Sequence, residues 1–408
     1  MRRVAWGLVV LLAFAIPWEY SLDLGEPLGN IARIVSMVLL LAAIPAVLQA
    51  GRVRTPSGMQ WLILALYLWF CCSYFWTIDP LATMDKMRAY FQEMMIVWLV
   101  WEFAESPEDL RTLMSAYVAG AGVLAVLTLA SFGSAEALGA SQVRFAAEGQ
   151  DPNDTARFLD LGIPFAALLV GSGGGRRLLG LGYLPLGLVA VVLTASRGGL
   201  LAGVAALAGC GLLLVRRSGR GALAGILALP AIAAGLWFAI PRETVARLTT
   251  IPDQLRGGDL NQRWNIWHAG WSAFVRAPLV GSGAGSFVSA ARLNPLDTAH
   301  NTALSVAVGG GLFALLLVVA IGVLALRAVL GTRSQLRDGL LIALVVWGIV
   351  SLVSTVEESR ATWLLLGLIA VAGRVGFEMP QQCERCFSVD CSREGVGLAA
   401  APAHSPGG

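Results

Sequence analysis

The chain has 408 residues, of which 57% are hydrophobic and only 13% charged, with a formal net charge of +3. Soluble globular domains carry about 25% charged residues, so water is excluded as the main solvent. The basic residues are dispersed rather than gathered into a stripe, which excludes a nucleic-acid partner.

A bilayer core about 30 Å thick takes about 20 apolar residues per helix, and uncharged runs near that length recur along the sequence. In chain order they predict an all-α integral membrane protein of about twelve transmembrane helices. The spans fall near residues 4–18, 30–50, 59–77, 89–103, 111–132, 156–171, 177–194, 199–215, 221–240, 301–326, 336–353 and 361–375. The first follows Arg2 and Arg3 and contains Ala13-Phe14-Ala15, the spacing of a signal-cleavage site. Its apolar stretch runs on to Trp18, so it reads as an uncleaved span. Residues 1–375 are thus one polytopic transmembrane domain, and 376–408 a cytoplasmic, disordered tail. In that tail Cys383 and Cys386 form half of a zinc-type pattern, with Cys391 nearby and the one tail histidine, His404, far along the chain. A closed structural site takes four ligands, so no metal is expected.

Basic residues near a span resist translocation, and their placement alternates consistently if the chain starts inside. The cytoplasmic side then holds Arg2, Arg3, Arg52, Arg54, Arg111, Arg176, Arg177, Arg216, Arg217, Arg220, Arg327, Arg333, Arg337, Arg374, Arg385 and Arg393. Both termini are predicted cytoplasmic in a bacterial inner membrane. Residues 133–155 and 241–300 fall outside, the latter as one large periplasmic loop. That loop breaks the charge trend, with Arg242, Arg247, Arg256, Arg263, Arg276 and Arg292 against Glu243, Asp253, Asp259 and Asp297. Long loops escape the charge rule, which is the plainer reading; the excess also suits a site for an anionic ligand.

Asp151-Pro152-Asn153-Asp154-Thr155 precedes the sixth span, in which Arg157 and Asp160 lie one turn apart and either pair with each other or line a cavity. Ser196-Arg197-Gly198-Gly199 makes a very short outside turn, placing Arg197 at the outer surface. In Gln262-Arg263-Trp264-Asn265-Ile266-Trp267-His268-Ala269-Gly270-Trp271, aromatics at 264, 267 and 271 line one helical face. The segment predicts an amphipathic helix lying at the membrane interface. Gly281, Gly283 and Gly285 lack the preceding strand of a dinucleotide-binding loop and read as a turn. His300 and Asn301 end the loop at the outer boundary of the next span. Glu93, and Glu357-Glu358 with Arg360, are further outer-side candidates, set aside here.

Arg197, Arg263 and His300 are therefore expected on one side at similar depth. The arginine fork grips phosphate oxygens at two points. A neutral imidazole beside it accepts a proton from an attacking hydroxyl, because its ordinary pKa lies near operating pH.

The order of Asp-Pro-Asn at 151–153, Ser-Arg-Gly-Gly at 196–199, Arg-x-x-x-Trp at 263–267 with Pro278-Leu-Val-Gly-Ser-Gly, and His300-Asn301 resembles the O-antigen ligase superfamily. That superfamily also includes O-antigen polymerases and protein O-oligosaccharyltransferases. The resemblance covers roughly residues 150–330. It implies a metal-independent, cofactor-free glycosyltransferase that moves a glycan from a polyprenyl (undecaprenyl) diphosphate carrier to an acceptor hydroxyl at the periplasmic face. Its partners would be the lipid-linked donor, a lipid A core or glycan acceptor, and membrane lipids, in lipopolysaccharide or surface-polysaccharide biosynthesis. By position, Arg197 and Arg263 would hold the diphosphate and His300 would help activate the acceptor. Asn153, Asn301 and His268 are added as substrate-binding candidates. One departure stands out: family members often carry an acidic residue about nine positions after the histidine, where this chain has Gly309.

Two other functions fit the pattern. A polymerase of the same superfamily shares the donor chemistry and differs in acceptor. A multi-span transporter also suits twelve spans, but it usually shows internal repeats and ionisable groups at the bilayer midplane. Here no duplication is evident and the arginines gather at the outer surface.

Overall fold

A computed structural model of the chain describes residues 1–25, 28–137, 143–218, 242–250, 262–295, 297–332 and 334–377. The predicted ninth span at 221–240, residues 378–408 of the predicted tail with its cysteines, and positions 251–261 of the large loop lie outside the described residues. Among the described residues the regular structure is helical: α1 Arg2–Ala15, continued by a 3-10 turn Ile16–Ser21, α2 Ile31–Ala50, α3 Gly58–Cys72, α4 Pro80–Phe103, α5 Pro107–Ala137, α6 Pro152–Val170, α7 Gly174–Leu193, α8 Arg197–Ser218, α9 Arg242–Thr249, α10 Arg263–Arg276, α11 Phe287–Ala291, α12 Thr302–Leu330, α13 Ser334–Val353 and α14 Arg360–Phe377.

Local chemistry sets several of the boundaries. Asn30, Asp79 and Asn301 each accept a backbone N–H of the helix they open, from Arg33 (2.9 Å), Ala82 (3.1 Å) and Leu304 (2.9 Å). Asp151 accepts from the backbone N–H of Asn153 at 2.7 Å. Pro80 and Pro152 follow two of these caps at the first helical position, where a missing N–H costs nothing.

Among the described residues seven helices are long and apolar enough to cross a membrane: Arg2–Ser21, Ile31–Ala50, Gly58–Phe75, Pro107–Ala135, Gly174–Leu193, Thr302–Leu330 and Leu336–Val353. The predicted spans at 89–103, 156–171, 199–215 and 361–375 are helical as well, but they are not among these seven. Arg197–Leu213 is apolar and shorter, while α4 and α6 carry charged residues. The reason is clearest at α6, which is enclosed by α5, α7, α8 and α13 and buried without a break from Thr155 to Ala166. Its polar groups are shielded by protein, so the helix does not need an apolar sequence. Tyr117 and Tyr183 donate their hydroxyls to the carbonyls of Phe158 (3.1 Å) and Leu159 (2.6 Å), one turn before Pro164 interrupts the ladder.

α12 is broken at Gly311, whose φ of 69° and ψ of −168° are outside the helical range. The open backbone there is met by residues 278–283. Ser282 and Gly283 donate to the carbonyls of Val308 (2.8 Å) and Gly309 (3.0 Å), and Leu312 donates to that of Pro278 (2.8 Å). The glycine-rich turn is thus consumed as a strut, and these two N–H groups are not presented to a ligand. A Cβ on Gly309 would lie 3.3 Å from the Gly283 carbonyl oxygen, so the missing side chain lets the strut dock.

The helix ends sort into two groups. At one, Arg2 and Arg54 meet Glu102 and Glu105 at 2.6 to 3.4 Å, and Arg374 donates to the Trp101 carbonyl at 2.9 Å. At the other, the 3-10 turn after α1, the starts of α4, α6 and α12 and the α13–α14 connection converge on a cavity.

Candidate active site

That cavity has a volume of about 710 Å3. Arg263, His300 and Asn153 line it, as do Arg144, Arg157 and Arg247. The three last arginines come from the segment before α6, from α6 itself and from α9.

Asn153 ties two of the sequence motifs together. Its Oδ1 accepts from Arg144 Nη2 at 2.8 Å and from Ser196 Oγ at 3.0 Å, joining the Asp-Pro-Asn segment to the Ser-Arg-Gly-Gly turn. Gly199 N donates to Ser196 Oγ (3.2 Å), and a Cβ on Gly199 would run into Ala156. This glycine lets α8 approach α6. Ser196, Gly198 and Gly199 line a small crevice with Asn153, Arg157 and Arg263.

Arg197 does not line the main cavity. Its side chain donates to the carbonyl of Arg247 (3.3 Å) and to Thr250 Oγ1 (2.6 Å), while Arg247 Nε donates to the Ala195 carbonyl (3.3 Å). The two arginines therefore cross-tie α9 to the turn before α8. Asn301 is spent on structure, capping α12 and donating to the Leu352 carbonyl at 3.2 Å. His268 is exposed on α10, with Nδ1 2.9 Å from the Trp264 carbonyl, and does not line the cavity. The aromatic stripe of α10 is split: Trp264 and Trp271 are exposed, whereas Trp267 turns inward and donates to the Ala299 carbonyl at 3.1 Å. That bond fixes α10 against the segment that carries His300.

Arg157 does not pair with Asp160. Its ion partner is Asp154 at 2.9 Å, one turn earlier, and it also donates to the Thr355 carbonyl at 3.4 Å. The Asp160 carboxyl is fully buried in α6, with no hydrogen-bond partner among the described residues. Arg360, considered above with Glu357 and Glu358, is committed to Glu19 and Gln92.

Backbone strain marks the same places. Among the described residues four non-glycine positions have positive φ: Ala195 (49°), Gln262 (64°), Arg292 (56°) and His300 (46°). Three lie at His300, beside Arg263, or two residues before Arg197. Such positions cost about 1–3 kcal/mol each and persist where surrounding structure holds them, commonly at functional sites.

Electrostatics divide the cavity. Burial, then repulsion from Arg247 and Arg197, holds the Arg144 guanidinium below its ordinary range, opposed by Asp151. Burial and Arg144 do the same to Arg263. Burial, then Arg263, lowers the pKa of His300 from its ordinary 6.5, opposed by Asp151 and Asp297. The surroundings of His300 thus favour its neutral imidazole, and its Nδ1 lies 3.3 Å from Thr298 Oγ1. Away from these arginines, Lys86 of α4 meets Glu357 (3.6 Å) and Glu358. Among the described residues no group of His, Cys, Asp or Glu side chains is arranged to hold a metal ion.

Arg144, Arg247 and Lys86 are site residues that the sequence reading does not single out, and it sets Glu357 and Glu358 aside. For Arg247 the signal is the arginine excess in the long loop. For Arg144 nothing in the sequence marks it.

The fold and the cavity define a helical membrane protein, with seven candidate spans among the described residues and a buried, charge-lined site at one end of its bundle. Residues 182–319 match the family model described as O-Antigen ligase, and this match supports membership of the O-antigen ligase superfamily. The matched stretch contains Arg197, Arg263, His268, His300 and Asn301; Asn153 precedes it. A comparison with curated proteins gives no match.

Proposed function

We propose that the protein is a glycosyltransferase of the O-antigen ligase and polymerase type. It moves a glycan from a polyprenyl diphosphate carrier to an acceptor hydroxyl at the periplasmic face of a bacterial inner membrane. The observation that carries this reading is the meeting of Arg263, Arg144 and Arg247 with His300 in one buried cavity. In the transfer, His300 takes the proton of the acceptor hydroxyl. The acceptor oxygen forms the new bond to the anomeric carbon, and the bond to the diphosphate breaks with its electron pair. The guanidiniums neutralise charge where it develops on the leaving group, and a low-polarity surround strengthens them. For Nε2 to serve as base, Nδ1 must carry the ring hydrogen, and Thr298 Oγ1 stands as its acceptor.

In this reading Arg263 holds the diphosphate directly. Arg197 acts through Arg247, and Asn153 acts through Arg144, as positioning residues. Asn301 acts by fixing the start of α12, and His268 lies at the membrane interface with Trp264 and Trp271. The twelve-span topology, the cytoplasmic termini, the periplasmic loop 241–300 and metal independence belong to the same proposal. It is supported by the sorting of helix ends into two groups, with Arg2, Arg54 and Arg374 at one and the cavity at the other. Ligase and polymerase share the donor half of this site. A transporter would place its ionisable residues across the midplane, whereas Arg144, Arg247, Arg263 and His300 lie in the segments outside the long apolar helices.

The test is purified protein with a polyprenyl diphosphate-linked glycan and a panel of acceptors, in chelator. Glycan transfer with release of the diphosphate carrier is expected. No transfer to any acceptor, alongside solute uptake into vesicles, overturns the reading.

A further inference from the structure

The cavity has a second half that diphosphate chemistry leaves unused. Glu357 and Tyr90 line it and are 6% and 1% exposed. The Tyr90 hydroxyl has no hydrogen-bond partner among the described residues, while the Glu357 carboxyl is met by the Lys86 ammonium at 3.6 Å and by Ser305. Buried polar groups are normally satisfied, and an orphan facing a cavity is a place where a ligand supplies the missing bond. Beside them, Lys86 lies 5.3 Å from the Tyr90 ring centre and ion-pairs with both glutamates, while the Glu358 side chain is half exposed to the cavity. Two carboxyls face the Lys86 ammonium, and Arg157, which also acts on Glu358, is ion-paired with Asp154 at 2.9 Å, so this half offers no surplus positive charge to a phosphate.

The wall is also rigid. Thr302 Oγ1 donates to the Ser354 carbonyl (2.9 Å) and accepts from Val356 N (3.0 Å). Thr362 Oγ1 and Trp363 Nε1 donate to the carbonyls of Val356 (2.5 Å) and Glu357 (2.9 Å). The Glu357-Glu358 connection is thus fixed from both α12 and α14, in the manner of a preorganised binding surface.

We propose that Glu357, Glu358 and Tyr90, with Lys86 as their support, form the acceptor half of the site and take the hydroxyl face of a neutral sugar. This rests on the transfer reading above. Carboxylates accept from sugar hydroxyls, and Tyr90 adds an acceptor and a donor. A sugar carrying phosphate or uronate next to the receiving hydroxyl is disfavoured, because it brings like charge to two carboxylates. His300, which lines the same cavity, then takes the proton of the receiving hydroxyl.

The experiment measures transfer kinetics with three acceptor probes: a neutral hexose oligosaccharide, its phosphorylated form and a uronate-containing counterpart. Wild-type protein is expected to prefer the neutral probe at least tenfold in kcat/KM. Glu357→Gln, Glu358→Gln and Tyr90→Phe each raise the acceptor KM about tenfold and leave the donor KM unchanged, and Glu358→Asp partly restores it. Transfer with unchanged acceptor KM in all three variants, or preference for the phosphorylated probe, overturns the acceptor assignment and leaves the transfer reading intact. Absence of wild-type transfer to every probe overturns the transfer reading and this proposal with it. Normal detergent-extracted yield and thermal stability of the variants separate loss of binding from loss of fold.

Discussion

α2 and α6 are nearly equal in length and opposite in environment. α2 exposes Met37, Val38, Leu41, Ile44 and Leu48 along its outer face, and its composition alone marks it as a membrane span. α6 exposes almost nothing and carries Asp154, Arg157 and Asp160. A peripheral helix in lipid must be apolar because nothing else will satisfy a polar group there, whereas an enclosed helix is free to hold charge. Hydropathy therefore finds the helices that face lipid and passes over the helix that carries part of the site.

The largest effect expected is at the cavity. His300→Ala should lower transfer by about 10²–10⁴-fold, the contribution of a positioned base, while membrane insertion stays normal. Next comes a direct contrast of the two helices. Leu41→Arg, at the middle of α2, should disfavour insertion by about 3–4 kcal/mol, read as the inserted fraction of that segment. Arg157→Leu makes α6 more hydrophobic, yet it strips Asp154 of its ion partner. We expect it to destabilise the folded protein by about 1–3 kcal/mol, read as a lower midpoint in detergent-solubilised thermal unfolding. If Arg157→Leu stabilised the protein, α6 would be a lipid-facing helix and the cavity would have no floor there. Arg263→Lys keeps the charge and loses the fork, and should reduce kcat/KM for the donor by up to about 10²-fold. Full activity in the Arg263→Lys variant would rule out two-point binding at that position.

The same contrast explains what the sequence could reveal. The all-helical architecture and most helix positions were legible, because lipid imposes long apolar runs and Asn or Asp caps mark their starts, as at Asn30 and Asn301. His300 and Asn153 were legible as candidates because each stands at the edge of a predicted span, and Arg263 because it opens the amphipathic, Trp-bearing segment of the long loop. Arg144 was not, since what places it at the cavity is a hydrogen bond to Asn153 and another to the Thr194 carbonyl at 3.3 Å, contacts that no local pattern encodes. The pairing of Arg157 with Asp160 fails because i,i+3 spacing runs both ways along a helix, and only packing selects Asp154. The glycine-rich turn was legible as a turn. Its role as a strut for the break at Gly311 depends on two segments meeting, which spacing within either one does not show.

The smallest effect tests the electrostatics of the cavity half that holds His300. Burial and the Arg263 charge lower the pKa of His300 from 6.5, and Asp151 pulls the other way. The neutral imidazole is the active base, so activity is present above this pKa and is lost as pH falls through it, placing the acidic limb of the rate profile below pH 6.5. Removing the cation in Arg263→Gln eliminates a repulsion on the imidazolium, so the limb should move up toward 6.5 in whatever activity remains. Removing the anion in Asp151→Asn eliminates an attraction, and the limb should move down. Asn is about as good a helix cap as Asp, so the start of α6 is preserved. Each shift should be less than about one pH unit, equivalent to about 1.4 kcal/mol. Opposite displacements from the two variants require that both charges act on one titrating group. If both variants moved the limb in the same direction, the group that titrates in catalysis would not be His300 between Arg263 and Asp151.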